Sequence, residues 1–292
     1  MKRTVFFLFV LSVMTTTLVA QHNPVLLFPD GAPGESKKMK QVDDRTGNKV
    51  AGCPVLRISN VSEPTLTFYP APAGNNSGVT IIVNPGGGYN ILAYNLEGTE
   101  ICKRFNDYGI NCVLVKYRVP RREGLEKHEA PLQDLQRAIA YTRSRADEWN
   151  IDPGRIGVMG FSAGAHLSAM ASTAYRTRTY LAIDSFDEAN LRPDFCILIY
   201  PAYLSGENFS IAPELNVDAD TPPTILIQTQ DDTSHVNSSL FYYYALKEAN
   251  IPAALHIYPS GGHGYGLRNT GHTVNEWPHR VFSWLRDMNI VE

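Results

Sequence analysis

From about residue 60 onward, short apolar runs rich in β-branched residues alternate with longer amphipathic stretches, and this alternation predicts an α/β protein with a mostly parallel sheet. The strand candidates are Thr65 to Tyr69, Val79 to Val83, Cys112 to Tyr117, Arg155 to Gly160, Phe195 to Tyr200, Thr224 to Thr229 and Ala254 to Tyr258. Runs such as Ile81-Ile82-Val83 and Val113-Leu114-Val115 are continuously apolar, as strands covered on both faces should be. Helices are predicted at Leu96 to Tyr108, Ala130 to Glu148, Ala163 to Tyr175, Asn237 to Ala249 and Asn275 to Met288. In the second, Leu132, Leu135 and Ile139 recur near the helical period, and Pro131 stands at a tolerated first-turn position. Residues 203–221 are polar and rich in Pro, Asn and Glu, which predicts a short cap above the sheet; nothing between 60 and 288 reads as a linker.

The first 20 residues follow a different pattern. Lys2 and Arg3 precede an apolar run from Val5 to Met14, Thr15 to Thr17 interrupt it, and Leu18-Val19-Ala20 stands before Gln21. This predicts a signal peptide at 1–20, one catalytic domain at 21–292, and a periplasmic or secreted protein. The apolar run falls short of the roughly 20 residues of a bilayer span, so no stable membrane partner is expected, with an uncleaved anchor as the alternative. Export permits disulfides, but Cys53, Cys102, Cys112 and Cys196 show no paired spacing, and Cys196 lies inside a strand run where a buried thiol is expected. No clustered His/Cys pattern suggests a metal, so neither metal nor other cofactor is predicted.

Composition adds exclusions. With 43% hydrophobic residues and a net charge of −3, and with basic residues no denser than around Arg118, Arg121 and Arg122, the chain has no nucleic-acid face. Nothing in it fixes an oligomeric state.

The chemistry gathers in four segments. In Arg155 to Leu167 a strand pattern runs through Gly160-Phe161-Ser162-Ala163-Gly164 into a helix pattern, the context in which G-x-S-x-G forms a nucleophile elbow presenting Ser162. The helix that follows aims unpaired N–H groups and a positive dipole at any oxyanion formed there. A serine hydroxyl needs a base and an acid to orient it, in the chain order Ser, Asp, His. Gln228 to Asp232 ends a strand and offers Asp231 or Asp232, of which Asp232 is preferred because it begins the Asp-x-x-x-Val spacing to Val236. Of eight histidines, His263 alone sits on a glycine-rich loop after the last strand; His272 is the nearest competitor, His166 is expected to pack beneath the site, and His235 to stand beside the acid. The remaining histidines need only structural or solvent roles. Finally, Pro85-Gly86-Gly87-Gly88-Tyr89 follows a strand without the Gly-Lys-Ser/Thr of a phosphate loop, so Gly87 or Gly88 together with Ala163 are the candidate oxyanion donors. Tyr89, Glu97 and Tyr203 are candidate substrate-pocket residues, each with a structural role as the alternative.

Together these segments resemble the α/β-hydrolase superfamily, and within it exported bacterial acetyl esterases and acetyl xylan esterases. Leu96-Glu97-Gly98, Lys116 to Pro120, Ile199 to Ala202 and Asn275 to Pro278 extend the resemblance over nearly the whole chain after residue 20. It implies about eight strands, one antiparallel near the start, helices on both faces, no metal, and a serine esterase acting on short acyl esters of a small molecule or plant polysaccharide. Pro85 stands where related lipases carry the histidine of His-Gly-Gly-Gly, which removes that side-chain support from the loop. Ala165 stands where many relatives have another glycine. Two rival readings are an exported prolyl-oligopeptidase-like peptidase, which would normally carry a large β-propeller, and a catalytically silent carbohydrate-binding relative. A glycosidase would need two carboxylates flanking a cleft, and no such pair stands out.

Overall fold

The computed structural model describes residues 21–292; the expected export signal at 1–20 lies outside the described residues. The chain runs through β1 (Val25–Leu26), β2 (Val42–Asp44), β3 (Arg57–Ser59), β4 (Thr65–Tyr69), β5 (Thr80–Asn84) and β6 (Leu92–Ala93) to a π-helical turn, Asn95–Thr99. There follow α1 (Glu100–Asp107), β7 (Asn111–Lys116), α2 (Glu129–Ser144), α3 (Ala146–Trp149), β8 (Ile156–Phe161) and α4 (Ala163–Thr173). β9 (Cys196–Ile199), β10 (Thr224–Thr229), α5 (Val236–Glu248), β11 (Ala253–Tyr258) and α6 (Trp277–Asp287) complete it. The main sheet has eight strands in the order β1-β4-β7-β5-β8-β9-β10-β11. β4 runs antiparallel to both its neighbours, and all pairs from β7 to β11 are parallel.

Each predicted strand is present within a residue or two of its expected ends. What the pattern did not reveal are pieces of two or three residues: β1 at the sheet edge, and β2, β3 and β6, which form a second small sheet. Such pieces are too short to show a period. Two predicted helices are broken. The stretch 96–108 opens as a π turn before α1, and 130–148 divides at Arg145 into α2 and α3, where Ser144 turns its hydroxyl back onto the carbonyls of Ala140 and Tyr141.

The apolar strand runs cover both faces of the sheet, because successive side chains alternate sides. On β7, Val113 and Val115 join a core with Leu135 and Ile139 of α2, Leu167 of α4 and Leu246 of α5. Cys112 and Leu114 point the other way, into a core with Ile101 and Phe105 of α1 and Trp277, Val281 and Leu285 of α6. All eleven residues of α4 are buried, which its Ala, Gly and Ser content allows by letting the helix lie close against the sheet. In parallel strands every carboxyl end falls on one edge, so the loops after β5, β8, β10 and β11 meet there; in such sheets that edge is where ligands bind.

One buried ion pair fastens the sheet to α2. Arg118, just past β7, bonds Asp134 through its Nε (2.9 Å) and its backbone N–H (2.8 Å), while its other guanidinium nitrogens donate to Pro33 O, Ala130 O and Gln133 Oε1. Both side chains are almost wholly excluded from solvent. Removing one member of such a pair strands the other charge in the interior. Asp134→Ala is expected to lower unfolding free energy by about 3–5 kcal/mol in urea titrations followed by circular dichroism; a midpoint equal to that of the parent would show that the pair is not holding the two elements.

Candidate active site

β8 ends at Phe161 and α4 begins at Ala163, which leaves Ser162 alone in the turn. Its φ of 52° and ψ of −118° lie in a region that costs a non-glycine residue on the order of 1–3 kcal/mol. Steric limits dictate the flanking glycines. A Cβ on Gly160 would lie 2.0 Å from Gly164 O, and one on Gly164 would lie 2.1 Å from Asn84 O. Backbone hydrogen bonds hold the serine in its strained state: its N–H donates to Ile199 O, and its carbonyl accepts from Ala165, His166 and Ala202.

The turn aims the hydroxyl at the loop after β11. Ser162 Oγ lies 2.8 Å from His263 Nε2, and His263 Nδ1 lies 2.7 Å from Asp232 Oδ2. Asp232 is buried, and a carboxylate can only accept, so Nδ1 carries the proton and Nε2 faces Oγ as an acceptor. The neighbouring Asp231 does something else. Its two oxygens accept from the N–H groups of Gly262 (2.9 Å) and Gly261 (3.0 Å), which hold its carboxyl below the usual range. The doublet therefore divides: one carboxylate meets the imidazole, the other clamps the loop that carries it.

Further side chains fasten the same loop. Thr229 Oγ1 donates to Gly262 O, Gly266 N–H donates to Tyr200 Oη, and Trp277 Nε1 donates to Gly266 O at 2.8 Å. His235 lies beside the imidazole, ring centroids 4.9 Å apart; burial first, then the nearness of His263, lowers its pKa and favours a neutral ring. His272, the sequence competitor, bonds Ser260 instead.

Opposite stands the glycine loop after β5. A Cβ on Gly86 would lie 2.4 Å from Phe161 O and 2.8 Å from Ser162 Cβ, so only bare backbone can pass here. Its N–H is already engaged, donating to Glu97 Oε2 at 2.6 Å. By contrast, no hydrogen bond among the described residues occupies the N–H of Gly87, Gly88 or Ala163.

Two sequence expectations need correction here. Glu97 and Tyr89 are not pocket walls. The π turn rotates Glu97 inward, where it is 4% exposed, takes the Gly86 N–H on one oxygen and the Tyr200 hydroxyl on the other, and has its pKa raised by burial. Tyr89 is 1% exposed and its hydroxyl meets His166 Nδ1 at 2.8 Å. Nor does Pro85 leave the loop unsupported: Tyr117 donates its hydroxyl to Pro85 O, and Glu97 holds the next residue. Of the three pocket candidates only Tyr203 is partly exposed, with its ring stacked against Tyr89 and the Lys127 ammonium 4.0 Å from its centroid. Sequence reasoning missed the loop-clamping part of Asp231 and the supporting parts of Tyr117, Tyr200 and Trp277. The acidic doublet was a visible signal; the others are ordinary core aromatics until their hydroxyl and indole partners are known.

Comparison with known proteins agrees with this fold. A family model described as BD-FAE matches residues 66–197, and one described as the prolyl oligopeptidase family matches residues 198–289. The crystal structure of an acetyl ester-xyloside bifunctional hydrolase from Caldicellulosiruptor lactoaceticus superposes with a TM-score of 0.73 at 29% identity, covering 95% of this chain and 100% of that one. The chain is an α/β-hydrolase. This α/β-hydrolase is also 32% identical over 239 residues to an acetylxylan esterase from Xylanibacter ruminicola, an alignment that covers 73% of this chain and 46% of the relative. It is 29% identical over 211 residues to endo-1,4-beta-xylanase B of Butyrivibrio fibrisolvens, covering 65% of this chain and 33% of the relative. The α/β-hydrolase chain thus spans less than half the length of these curated relatives.

The support given by Glu97 is open to a direct test. A fluorophosphonate reacts with an activated serine through a charged five-coordinate state at phosphorus, from which fluoride leaves, so its rate reads both Oγ and any N–H groups that receive the phosphoryl oxygen. Glu97→Ala is expected to slow modification of Ser162 by about 10²-fold, the scale of one lost oxyanion donor, and Glu97→Gln by much less. Equal rates for the Ala variant and the parent would mean that the loop holds its place without the carboxylate.

Proposed function

We propose that this protein is a serine carboxyl-ester hydrolase acting on short acyl esters, acetyl above all, borne by a carbohydrate. The observation that carries the reading is the unbroken chain from Ser162 Oγ through the His263 imidazole to Asp232, next to a glycine loop and helix start whose Gly87, Gly88 and Ala163 N–H groups no hydrogen bond among the described residues occupies. In this reading Ser162 attacks the acyl carbon as His263 Nε2 takes its proton, and the N–H groups of Ala163 and of Gly87 or Gly88 receive the charge that develops on the carbonyl oxygen. The imidazolium returns the proton to the leaving alcohol, and Asp232 holds the tautomer and stabilises the transient charge. Water, activated by the same imidazole, then releases the acid. The substrate class is supported by relatives named for acetylxylan, acetyl ester-xyloside and xylan hydrolysis. Residues 1–20 we read as an export signal, which would bring the enzyme to polymeric substrates outside the cytoplasm.

A second reading has a specific observation behind it: the match of residues 198–289, which carry Asp232 and His263, to the prolyl oligopeptidase family. Substrates separate the two. Purified protein is expected to hydrolyse p-nitrophenyl acetate and to release acetate from acetylated xylan while leaving a prolyl-peptide anilide intact; the reverse pattern would replace esterase with peptidase. Ser162→Ala should abolish the acetate activity, and equal rates for parent and variant would assign the chemistry to another group.

The acid is assigned by comparing the doublet. Asp232→Asn is expected to lower kcat by about 10⁴-fold, the loss that follows when the imidazole takes the wrong tautomer. Asp231→Asn weakens only the loop clamp and should cost far less. Inverted magnitudes would exchange the two roles.

A further inference from the structure

Beneath the glycine loop lies a group of side chains that the proposed reaction does not use. His166, on α4 one turn beyond Ser162, is fully buried, with Nδ1 2.8 Å from the Tyr89 hydroxyl and Nε2 3.2 Å from Glu214 Oε1. Glu214 belongs to the cap loop between β9 and β10. His128, immediately before α2, brings its ring to 5.5 Å from that of His166, centroid to centroid, and its buried Nδ1 meets no hydrogen-bond partner among the described residues. One ligand-type atom from each of the three lies within 4.8 Å of the other two.

We propose that His128, His166 and Glu214 form a binding site for a divalent transition metal, Zn²⁺ foremost. Two imidazoles and a carboxylate are a zinc donor set, with a fourth position left to water. Bonds of about 2.0–2.2 Å in a tetrahedron place neighbouring ligand atoms roughly 3.4 Å apart, and the 3.2 Å between His166 Nε2 and Glu214 Oε1 already meets that spacing. His128 has to close the remaining gap by a small side-chain rotation, and it holds a buried nitrogen without a partner. A ligating imidazole also needs an acceptor for its other N–H. Tyr89 supplies it: as Nε2 turns to the metal the ring proton moves to Nδ1, and the tyrosine hydroxyl changes from donor to acceptor, with no net change in protons on the ring. The neighbouring charge is Lys127, held on the face of Tyr203, and no ion pair joins it to Glu214 among the described residues. The three ligands come from the residue before α2, from α4, which follows Ser162, and from the cap, so a bound ion would tie the cap to the helix that follows the nucleophile. This is independent of which bond the enzyme cleaves, and so is its test.

A second triplet, Asp232, His235 and His263, also lies close enough to hold a metal, but it contains the acid and base of the candidate site. The experiment therefore has to tell the two apart. The full-length protein, free of any histidine tag, is stripped with chelator, loaded with ZnCl₂, gel-filtered and analysed for zinc by mass spectrometry, alongside His128→Asn, Glu214→Gln and His235→Asn. One zinc per chain is expected in the parent and in His235→Asn, and less than about a tenth of that in the other two. Zinc should raise the melting temperature of the parent by about 5 °C at saturation and leave that of Glu214→Gln unmoved. A parent that keeps no zinc, variants at 128 and 214 that keep it, or loss confined to His235→Asn would each overturn the assignment.

Discussion

The active-site architecture depends on one steric constraint: three backbone segments meet around Ser162 with no room for a side chain between them. β8 enters, α4 leaves, and the chain after β5 passes across, with closest approaches that a single Cβ at Gly86, Gly160 or Gly164 would violate. The serine then has no relaxed conformation available and sits at positive φ. Strain of this kind persists only where the surroundings over-determine it, and here a sheet buried on both faces does so, by fixing β5, β8 and β9 side by side. The same crossing brings the glycine loop and the first turn of α4 together at Ser162.

What surrounds that point is a set of polar groups facing inward to hold backbone. Glu97 holds Gly86, Asp231 holds Gly261 and Gly262, Tyr200 bridges Glu97 and Gly266, and Trp277 reaches Gly266 from the other layer. A carboxylate buried as deeply as Glu97 is costly unless its oxygens are satisfied, and each of them is. The supporting groups thus connect the two loops on either side of Ser162 through Tyr200.

How much of this could be read in the chain depends on the size of each signal. Strands such as Ile81-Ile82-Val83 are long, apolar and bounded by turns, so their place was visible, whereas β1 and β6, two residues each, carry no pattern at all. Ser162, His263 and the acidic doublet were legible because their chemistry demands residue types at set places in the order of strands and loops. Glu97 shows where such reading stops. A glutamate just after a glycine loop suits a pocket wall or a buried brace equally well, and the extra residue of a π turn, invisible to a 3.6-residue period, turns it inward. His128, His166 and Glu214 are far apart in sequence and meet only through the packing of α2, α4 and the cap.

The cap loop itself has a consequence for how this molecule can change over generations. Between Tyr203 and Thr221 it contains no helix or strand, only an isolated bridge between Ser205 and Ile211. Lengthening such a loop is cheap, since doubling it adds about 0.6 kcal/mol of closure entropy. The groups that brace the two loops beside Ser162 lie outside it. Insertions here leave those braces in place, so this loop is a place where the chain can lengthen while the arrangement around Ser162 is kept.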